Sequence, residues 1–309
     1  MAASNPQTGL SPNAWDSHMH IVDPDRYPLA PDAQYKPQTH TLSEAMEFES
    51  SVGISNIVLV QPSIYGYDNS CLLEGLREIG PQHGRGIVTI DPQSIRPEKL
   101  LEWHRLGVCG VRLNLQSVDK QLTPEELAES VRQHARAIFH LNWVLQLYIP
   151  LSSVPALLSV VPDLGVRICF DHFSSPALPS TDVDPASFDP YSLSGFSELV
   201  SLLRQGRTYV KISAPYRLGD DPELKFLGVI AKELLRVAPE RLVFATDWPH
   251  TRFEGLDIKP FIAKCLHWCG GNTELVHKLF RRNAEELWEL WKEGLLNAMS
   301  SPLLAWVIG

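Results

Sequence analysis

Eight short apolar runs alternate with longer amphipathic segments along this chain, and this alternation limits its fold more than any other feature. We predict strands at Trp15–Val22, Asn56–Gln61, Gly86–Ile90, Val108–Leu115, Trp143–Ile149, Val166–Phe173, Tyr209–Ser213 and Leu242–Asp247. We predict helices at Leu42–Val52, Cys71–Ile79, Pro97–Arg105, Pro124–Phe139, Val154–Val160, Phe196–Arg204, Pro222–Val237 and Pro260–Cys269. Strands that alternate with helices form a parallel sheet, and strands that are apolar throughout are buried on both faces.

The number of strand–helix units decides between a closed and an open sheet. Eight units in about 250 residues fit an α/β fold of the (β/α)8 or TIM-barrel type. An open doubly wound sheet is the rival, but no glycine-rich loop follows the first strand. We therefore predict a flexible N-terminus over residues 1–13 and one barrel domain over 14–309. A further helix is predicted at Thr273–Met299, and the apolar residues 302–309 are expected to dock onto the barrel.

Composition narrows the classes of function. The 27 basic and 36 acidic residues give a net charge of −9, which provides no basic excess for binding nucleic acid or an anionic membrane. No apolar run approaches the roughly 20 residues that span a bilayer. The N-terminal residues contain no apolar or basic leader, so we expect a cytoplasmic protein. Five scattered cysteines without a CxxC pair argue against a disulfide framework and against a cysteine-based zinc site. The oligomeric state is left open, with a homodimer as one candidate.

Polar residues interrupt the predicted strands near their carboxyl ends, where barrel enzymes carry their active sites. The first strand contains His18 and His20, whose side chains point the same way because strand residues alternate. His172 follows the sixth strand and Asp247 ends the eighth. A single histidine is most often structural, but two histidines, a third histidine and an aspartate at corresponding ends of one barrel predict an active site.

The motifs at these positions resemble a known family. They are WDSHMH (15–20), VQPSIYGYDN (60–69), GVRLN (110–114), FDH (170–172), VKISAPYR (210–217) and VFATDWPH (243–250). Over residues 14–290 the chain resembles the amidohydrolase superfamily, and within it the branch of 2-pyrone-4,6-dicarboxylate lactonases and sugar lactonases. This resemblance implies a hydrolase with a barrel fold and its site at the strand ends.

The same resemblance raises the question of a metal. Metal-dependent members hold divalent ions with the HxH pair, the eighth-strand aspartate and further ligands from the middle strands. His18, His20 and Asp247 could supply three zinc ligands here, but Arg112 adds a positive charge that opposes a dication. The lactonase branch implies catalysis without metal. We therefore predict that no cofactor is required, with one Zn²⁺ on those three residues as the alternative.

The predicted chemistry is the opening of a lactone or related cyclic ester. Asp247 is the predicted general base for water, and His18, His20 and His172 are predicted to polarise the carbonyl. Predicted substrate-binding residues are Arg112, Arg217, Tyr148, Ser63, Tyr65, Asn69 and His250. The arginines predict an anionic small-molecule substrate, because the guanidinium group matches a carboxylate.

One departure bears on the substrate. The pyrone lactonases carry a further arginine after the fourth strand, whereas residues 115–120 contain none. We therefore expect fewer or differently placed carboxylates, on a carboxylated, aromatic or polyketide-like lactone. Two alternatives remain open: a zinc-dependent decarboxylase of an aromatic acid in the same superfamily, and a non-catalytic ligand-binding barrel.

Overall fold

A computed structural model describes residues 9–10, 12–180 and 183–289. Its eight strands pair in parallel in sequence order: β1 (Trp15–Met19), β2 (Asn56–Val60), β3 (Gly84–Val88), β4 (Val108–Asn114), β5 (Val144–Tyr148), β6 (Arg167–Phe170), β7 (Thr208–Ile212) and β8 (Leu242–Phe244). Residues beyond β8 bring the two edges of the sheet together, because the His20 amide donates to the Trp248 carbonyl and the Asp247 amide donates to the His18 carbonyl. The structure confirms the predicted (β/α)8 barrel.

The helices lie outside the strands. They are α1 (Leu42–Val52), α2 (Ser70–Ile79), α3 (Pro97–Arg105), α4 (Pro124–Ile138), α5 (Phe196–Arg204), α6 (Lys225–Val237), α7 (Lys259–Trp268), α8 (Thr273–His277) and α9 (Asn283–Glu289). The helix predicted at Val154–Val160 is instead a 3-10 segment over Leu151–Leu157, which contains Pro155, a residue without an amide donor. Within the described ranges, no helix combines the length and the apolar character that crossing a bilayer requires.

Several predicted strands were wrong at their carboxyl ends, where they extended too far. β6 ends at Phe170 and β8 at Phe244, and residues with positive φ angles follow two and three residues later, respectively. His172 and Phe173 have φ angles of 50° and 55°, and Asp247 has a φ angle of 64°. Left-handed backbone is uncommon for residues other than glycine, and it redirects the side chains that follow the strands.

The segment after α7 closes the barrel interior from the amino ends of the strands. Trp288 is fully buried in a cluster that includes Trp15 and Val144, the first residues of β1 and β5. Its indole N–H donates to Ser17 Oγ at 3.0 Å, and Arg85 Nε donates to its carbonyl at 3.3 Å. Residues 1–8 of the predicted flexible terminus, residues 290–299 of the predicted helix and the predicted docking segment 302–309 lie outside the described residues.

The start of α4 provides a local test of the fold. Thr123 Oγ1 accepts a hydrogen bond from the Glu126 amide at 3.2 Å, and Glu126 Oε2 accepts one from the Thr123 amide at 2.8 Å. We expect Thr123→Ala to lower the free energy of unfolding by about 1 kcal/mol, because the helix loses this cap. Urea denaturation measures the change. Thr123→Ser keeps the hydroxyl and should lose much less, so an equal loss in both variants would contradict the capping role.

Candidate active site

Four side chains meet at the carboxyl end of the barrel. The Nε2 atoms of His18, His20 and His172 lie 3.5, 3.7 and 3.9 Å from Asp247 Oδ1, respectively. His18 and Asp247 are each buried, and His20 is only 7% exposed. The structure therefore brings together the four residues that the sequence predicts to be catalytic.

The second oxygen of Asp247 is held by its neighbours. Asp247 Oδ2 accepts hydrogen bonds from Arg217 Nε at 2.6 Å and from the Tyr216 hydroxyl at 2.7 Å. Burial alone would raise the pKa of Asp247, but Arg217 and the surrounding histidines lower it well below its usual value. Asp247 is therefore a carboxylate at neutral pH, with Oδ1 left to face the three imidazoles.

A backbone contact determines what His20 can do. Its Nδ1 lies 2.7 Å from the carbonyl oxygen of Val60, which can only accept, so Nδ1 carries the proton. Burial lowers the pKa of His20 to about 4, which keeps the ring neutral at pH 7. Nε2 of neutral His20 is consequently an acceptor. His20 cannot donate a hydrogen bond to a substrate carbonyl in this form, which revises the polarising role predicted for it.

Lys211 orients His18 from inside the barrel. Its Nζ lies 2.7 Å from Gln146 Oε1, 3.2 Å from Asp171 Oδ1 and 3.1 Å from His18 Nδ1. An ammonium group has three donors, and these atoms provide three acceptors. We assign the His18 proton to Nε2 on this basis, although Asp171 Oδ1 also lies 3.3 Å from His18 Nδ1. Burial and the Lys211 charge lower the pKa of His18 well below its usual value.

Arg112 is already engaged by a carboxylate. Its Nε and Nη2 donate to Asp171 Oδ2 at 3.1 and 3.0 Å, and Gln146 Nε2 donates to the same oxygen at 2.9 Å. Burial acts to raise the pKa of Asp171, but Lys211, His18 and Arg112 bring it well below its usual value. The anionic partner that a buried arginine requires is therefore part of the protein. Arg112 nevertheless borders the cavity above it.

Two adjoining cavities open above these residues. The inner cavity has a volume of about 560 Å³, and its walls include His20, His172, Asp247, Arg112, Arg217, Tyr148 and Ser63. The outer cavity has a volume of about 1250 Å³ and includes Tyr65. Asn69 and His250 line neither cavity. The Asn69 side chain bonds the backbone of Thr89, and His250 Nδ1 lies 3.2 Å from the Tyr216 hydroxyl.

Sequence reasoning missed or undervalued several residues of the site. Tyr216 anchors Asp247, and its place beside Arg217 in the VKISAPYR motif could have indicated it. Arg252 lies 4.3 Å above the Tyr35 ring at the cavity wall, a contact between two distant loops that no sequence pattern predicts. Asp16 accepts hydrogen bonds from the His18 amide and from the amide and hydroxyl of Thr246, so it ties β1 to the segment after β8.

Three side chains of the site place possible ligand atoms for a divalent ion close together. His18 Nε2, His172 Nε2 and Asp247 Oδ1 could offer ligand atoms that lie within 4.8 Å of one another. Around them, however, the carboxylates Asp171 and Asp247 face three cations, Arg112, Lys211 and Arg217. Three cations against two carboxylates leave one positive charge before any ion is added, and His18 Nε2 carries a proton in the assigned tautomer. The positions of the donor atoms suit an ion, while the excess positive charge around them opposes one.

Comparison with known proteins identifies the relatives of this barrel. A 4-sulfomuconolactone hydrolase from Hydrogenophaga intermedia is 29% identical over 256 residues, covering 81% of this chain and 78% of that protein. A 2-pyrone-4,6-dicarboxylate hydrolase from Comamonas testosteroni is 26% identical over 308 residues, covering 94% of each chain.

Solved structures and a family model extend the comparison. A probable 2-pyrone-4,6-dicarboxylic acid hydrolase from Acinetobacter baumannii, with citric acid bound, has a TM-score of 0.72 at 24% identity and covers 90% of this chain and 99% of that one. A zinc-bound amidohydrolase from Burkholderia multivorans shares the fold, with a TM-score of 0.68 at 18% identity, covering 89% of this chain and 99% of that one. The sequence model of the amidohydrolase family matches residues 15–290. The chain therefore belongs to the amidohydrolase family and is a hydrolase.

Proposed function

We propose that this hydrolase opens the ring of a small anionic lactone or related cyclic ester without a metal ion. Two curated relatives are lactone hydrolases, which supports this reaction class. The observation that carries the proposal is that the two carboxylate oxygens of Asp247 have different contacts. Its Oδ2 is anchored by Arg217 and Tyr216. Its Oδ1 lies 3.5–3.9 Å from three imidazoles, two of which, those of His20 and His172, line the 560 Å³ cavity.

The proposed reaction begins with a water molecule that donates a hydrogen bond to Asp247 Oδ1 at the wall of the inner cavity. Asp247 removes a proton as the water oxygen bonds to the lactone carbonyl carbon. The carbonyl oxygen gains negative charge, which the Tyr148 hydroxyl on the cavity wall stabilises by donating a hydrogen bond. The ring C–O bond then breaks, and the proton on Asp247 passes to the departing oxygen. The product is an open-chain acid that has gained one water molecule.

The residues of the cavity walls support the proposal of an anionic substrate. Arg217 and Arg252 line the inner cavity together with Arg112, and Arg217 retains 18% side-chain exposure despite its contact with Asp247. Guanidinium groups bind carboxylates and sulfonates by directed hydrogen bonds. The Tyr148 ring packs edge-on against His172, with centroids 4.8 Å apart. Burial raises the pKa of Tyr148, so its hydroxyl stays neutral at pH 7. This hydroxyl can then donate a hydrogen bond to the carbonyl oxygen of the lactone.

Acid release in a pH-stat, combined with metal analysis, tests the proposal. We expect hydrolysis of 2-pyrone-4,6-dicarboxylate or related lactones by protein that contains no stoichiometric metal, and no loss of rate with a chelator. Release of CO₂ from aromatic acids that depends on bound zinc would replace this proposal with the decarboxylase alternative. Lactone binding without any turnover would support the non-catalytic barrel.

The pH dependence of kcat/KM should distinguish buried histidines from ordinary ones. Burial lowers the pKa of His20 and of His172 to about 4, so both remain neutral until the pH falls near that value. We expect kcat/KM to stay level from about pH 8 down to about pH 5 and to fall near pH 4, when both rings gain a proton. A midpoint near the ordinary histidine pKa of about 6.5 would contradict this assignment.

A further inference from the structure

The outer cavity is larger than a single small ring requires. The inner cavity, at about 560 Å³, already lies within the range of about 300–1,000 Å³ that is usual for small-ligand sites. The outer cavity adds about 1250 Å³ and shares walls with the inner one at Gln34, Ser63, Arg112, Val118 and Asp119. A substrate seated at Asp247 can therefore extend past these shared residues into a second compartment.

The two compartments differ in charge. Four aspartates line the outer cavity, Asp32, Asp68, Asp91 and Asp119, against the cations Arg112 and Lys120. Arg112 is already neutralised by Asp171. His134, also on this wall, has its pKa lowered by burial and adds no charge at neutral pH.

The inner cavity lacks this acidic excess. With Arg112 again paired to Asp171, Arg217 and Arg252 balance Asp247 and the shared Asp119. An anionic group is therefore repelled from the outer compartment but not from the inner one.

The outer walls suit an uncharged ring. Tyr67 is 65% exposed and borders this cavity, so its ring is available for stacking. Leu113, Leu115 and Leu122 supply apolar surface on the same walls. Aspartate carboxylates accept hydrogen bonds, so hydroxyl groups on the ring would be matched by the acidic lining. Aromatic stacking stabilises such a ring beyond the effect of burying its area.

We propose that the outer compartment binds an uncharged, hydroxylated aromatic extension of the lactone substrate. The inference rests on the proposed lactone hydrolysis and makes its substrate class specific. The reacting lactone and a single acidic group occupy the inner compartment, and the aryl group lies against Tyr67. A lactone with two acidic groups is a poorer ligand, because its second anion would face the aspartates.

Two lactones with the same reacting ring test this inference. One is 2-pyrone-4,6-dicarboxylate, and the other carries a 4-hydroxyphenyl group in place of the 4-carboxylate. We expect the aryl lactone to bind about tenfold more tightly in calorimetry, with kcat/KM higher by a similar factor. Tighter binding of the dicarboxylate would overturn the inference. If neither lactone is hydrolysed, the proposed function is wrong. The dissociation constants still show whether the outer compartment prefers the aryl group to a second acidic group.

Substitutions in the walls of the outer cavity test whether the difference in affinity between the two lactones arises there. Ser130, a partly exposed residue of α4, borders the outer cavity. Ser130→Trp should weaken binding of the aryl lactone about tenfold more than binding of the dicarboxylate, because the indole occupies the compartment. Ser201→Trp, on the exposed face of α5, is the matched control and should change neither. Equal weakening of both lactones by Ser130→Trp would overturn the assignment.

A change of charge gives a second variant that does not depend on filling space. Asp32 is exposed and lines the outer cavity, whereas Asp25 is exposed on the same loop and lies outside both cavities. Asp32→Lys should improve dicarboxylate binding several-fold, and Asp25→Lys makes the same change in net charge without that gain. An equal effect of the two variants would show that overall charge, rather than the outer compartment, excludes a second anion.

Discussion

Asp247→Asn should lower kcat/KM for lactone hydrolysis by about 10²–10⁴-fold, the range for loss of a general base. The amide keeps the shape of the side chain, but it cannot take a proton from water. It also removes the negative charge that Arg217 Nε contacts at 2.6 Å, so the folded fraction of the variant must be measured alongside its activity. Steady-state kinetics with a lactone that the unchanged protein hydrolyses gives kcat/KM for both proteins. The protein concentration is corrected for the folded fraction of each.

Asp220→Asn is the control for this variant, because Asp220 is exposed and follows β7 on the same side of the barrel. It should retain the rate of the unchanged protein. Unchanged turnover in folded Asp247→Asn would remove Asp247 from the mechanism.

Asp171→Ala should lower the free energy of unfolding by about 3–5 kcal/mol, because removing one partner of a buried ion pair leaves an uncompensated charge. Asp171 contacts two buried cations, Arg112 Nη2 at 3.0 Å and Lys211 Nζ at 3.2 Å. Chemical denaturation followed by circular dichroism measures the loss.

A double-mutant cycle provides the control. In a Lys211→Met background one of the two cations is already absent, so Asp171→Ala should cost less there than in the unchanged protein. Equal costs in the two backgrounds would show that Asp171 and Lys211 do not stabilise each other. Lys211→Met should also shift the pH dependence of kcat/KM, because His18 loses the donor at Nδ1.

The fold was largely predictable because its signal is local. The bounds of α1, α3 and α5 agree with the predicted helices, since the apolar periodicity of each segment ends where its helix ends. The ends of β6 and β8 were not predictable in this way. Phe173 and Asp247 adopt positive φ angles, and the residues around them include no glycine that would indicate such a turn.

The residues that form the site were predictable from the sequence, but the role of each residue was less so. Two alternating histidines and two residues at other strand ends had to meet if the barrel formed. The partner of each side chain depends instead on contacts between residues far apart in sequence, such as Lys211 Nζ and His18 Nδ1 at 3.1 Å. The Val60 carbonyl that makes His20 an acceptor has no side-chain signature at all.

The position of Trp288 has a consequence for synthesis of the protein on the ribosome. Its indole bonds Ser17, next to His18, and lies 5.4 Å from Lys211 Nζ, so the amino end of the barrel is sealed by a residue translated after all eight strands. At about 5–20 residues per second, the first strand waits about 15–60 s for this seal. Until then the apolar interior around Trp15 is open to water and to other chains. We therefore expect the chain to be more prone to aggregation before Trp288 has been synthesised than after it.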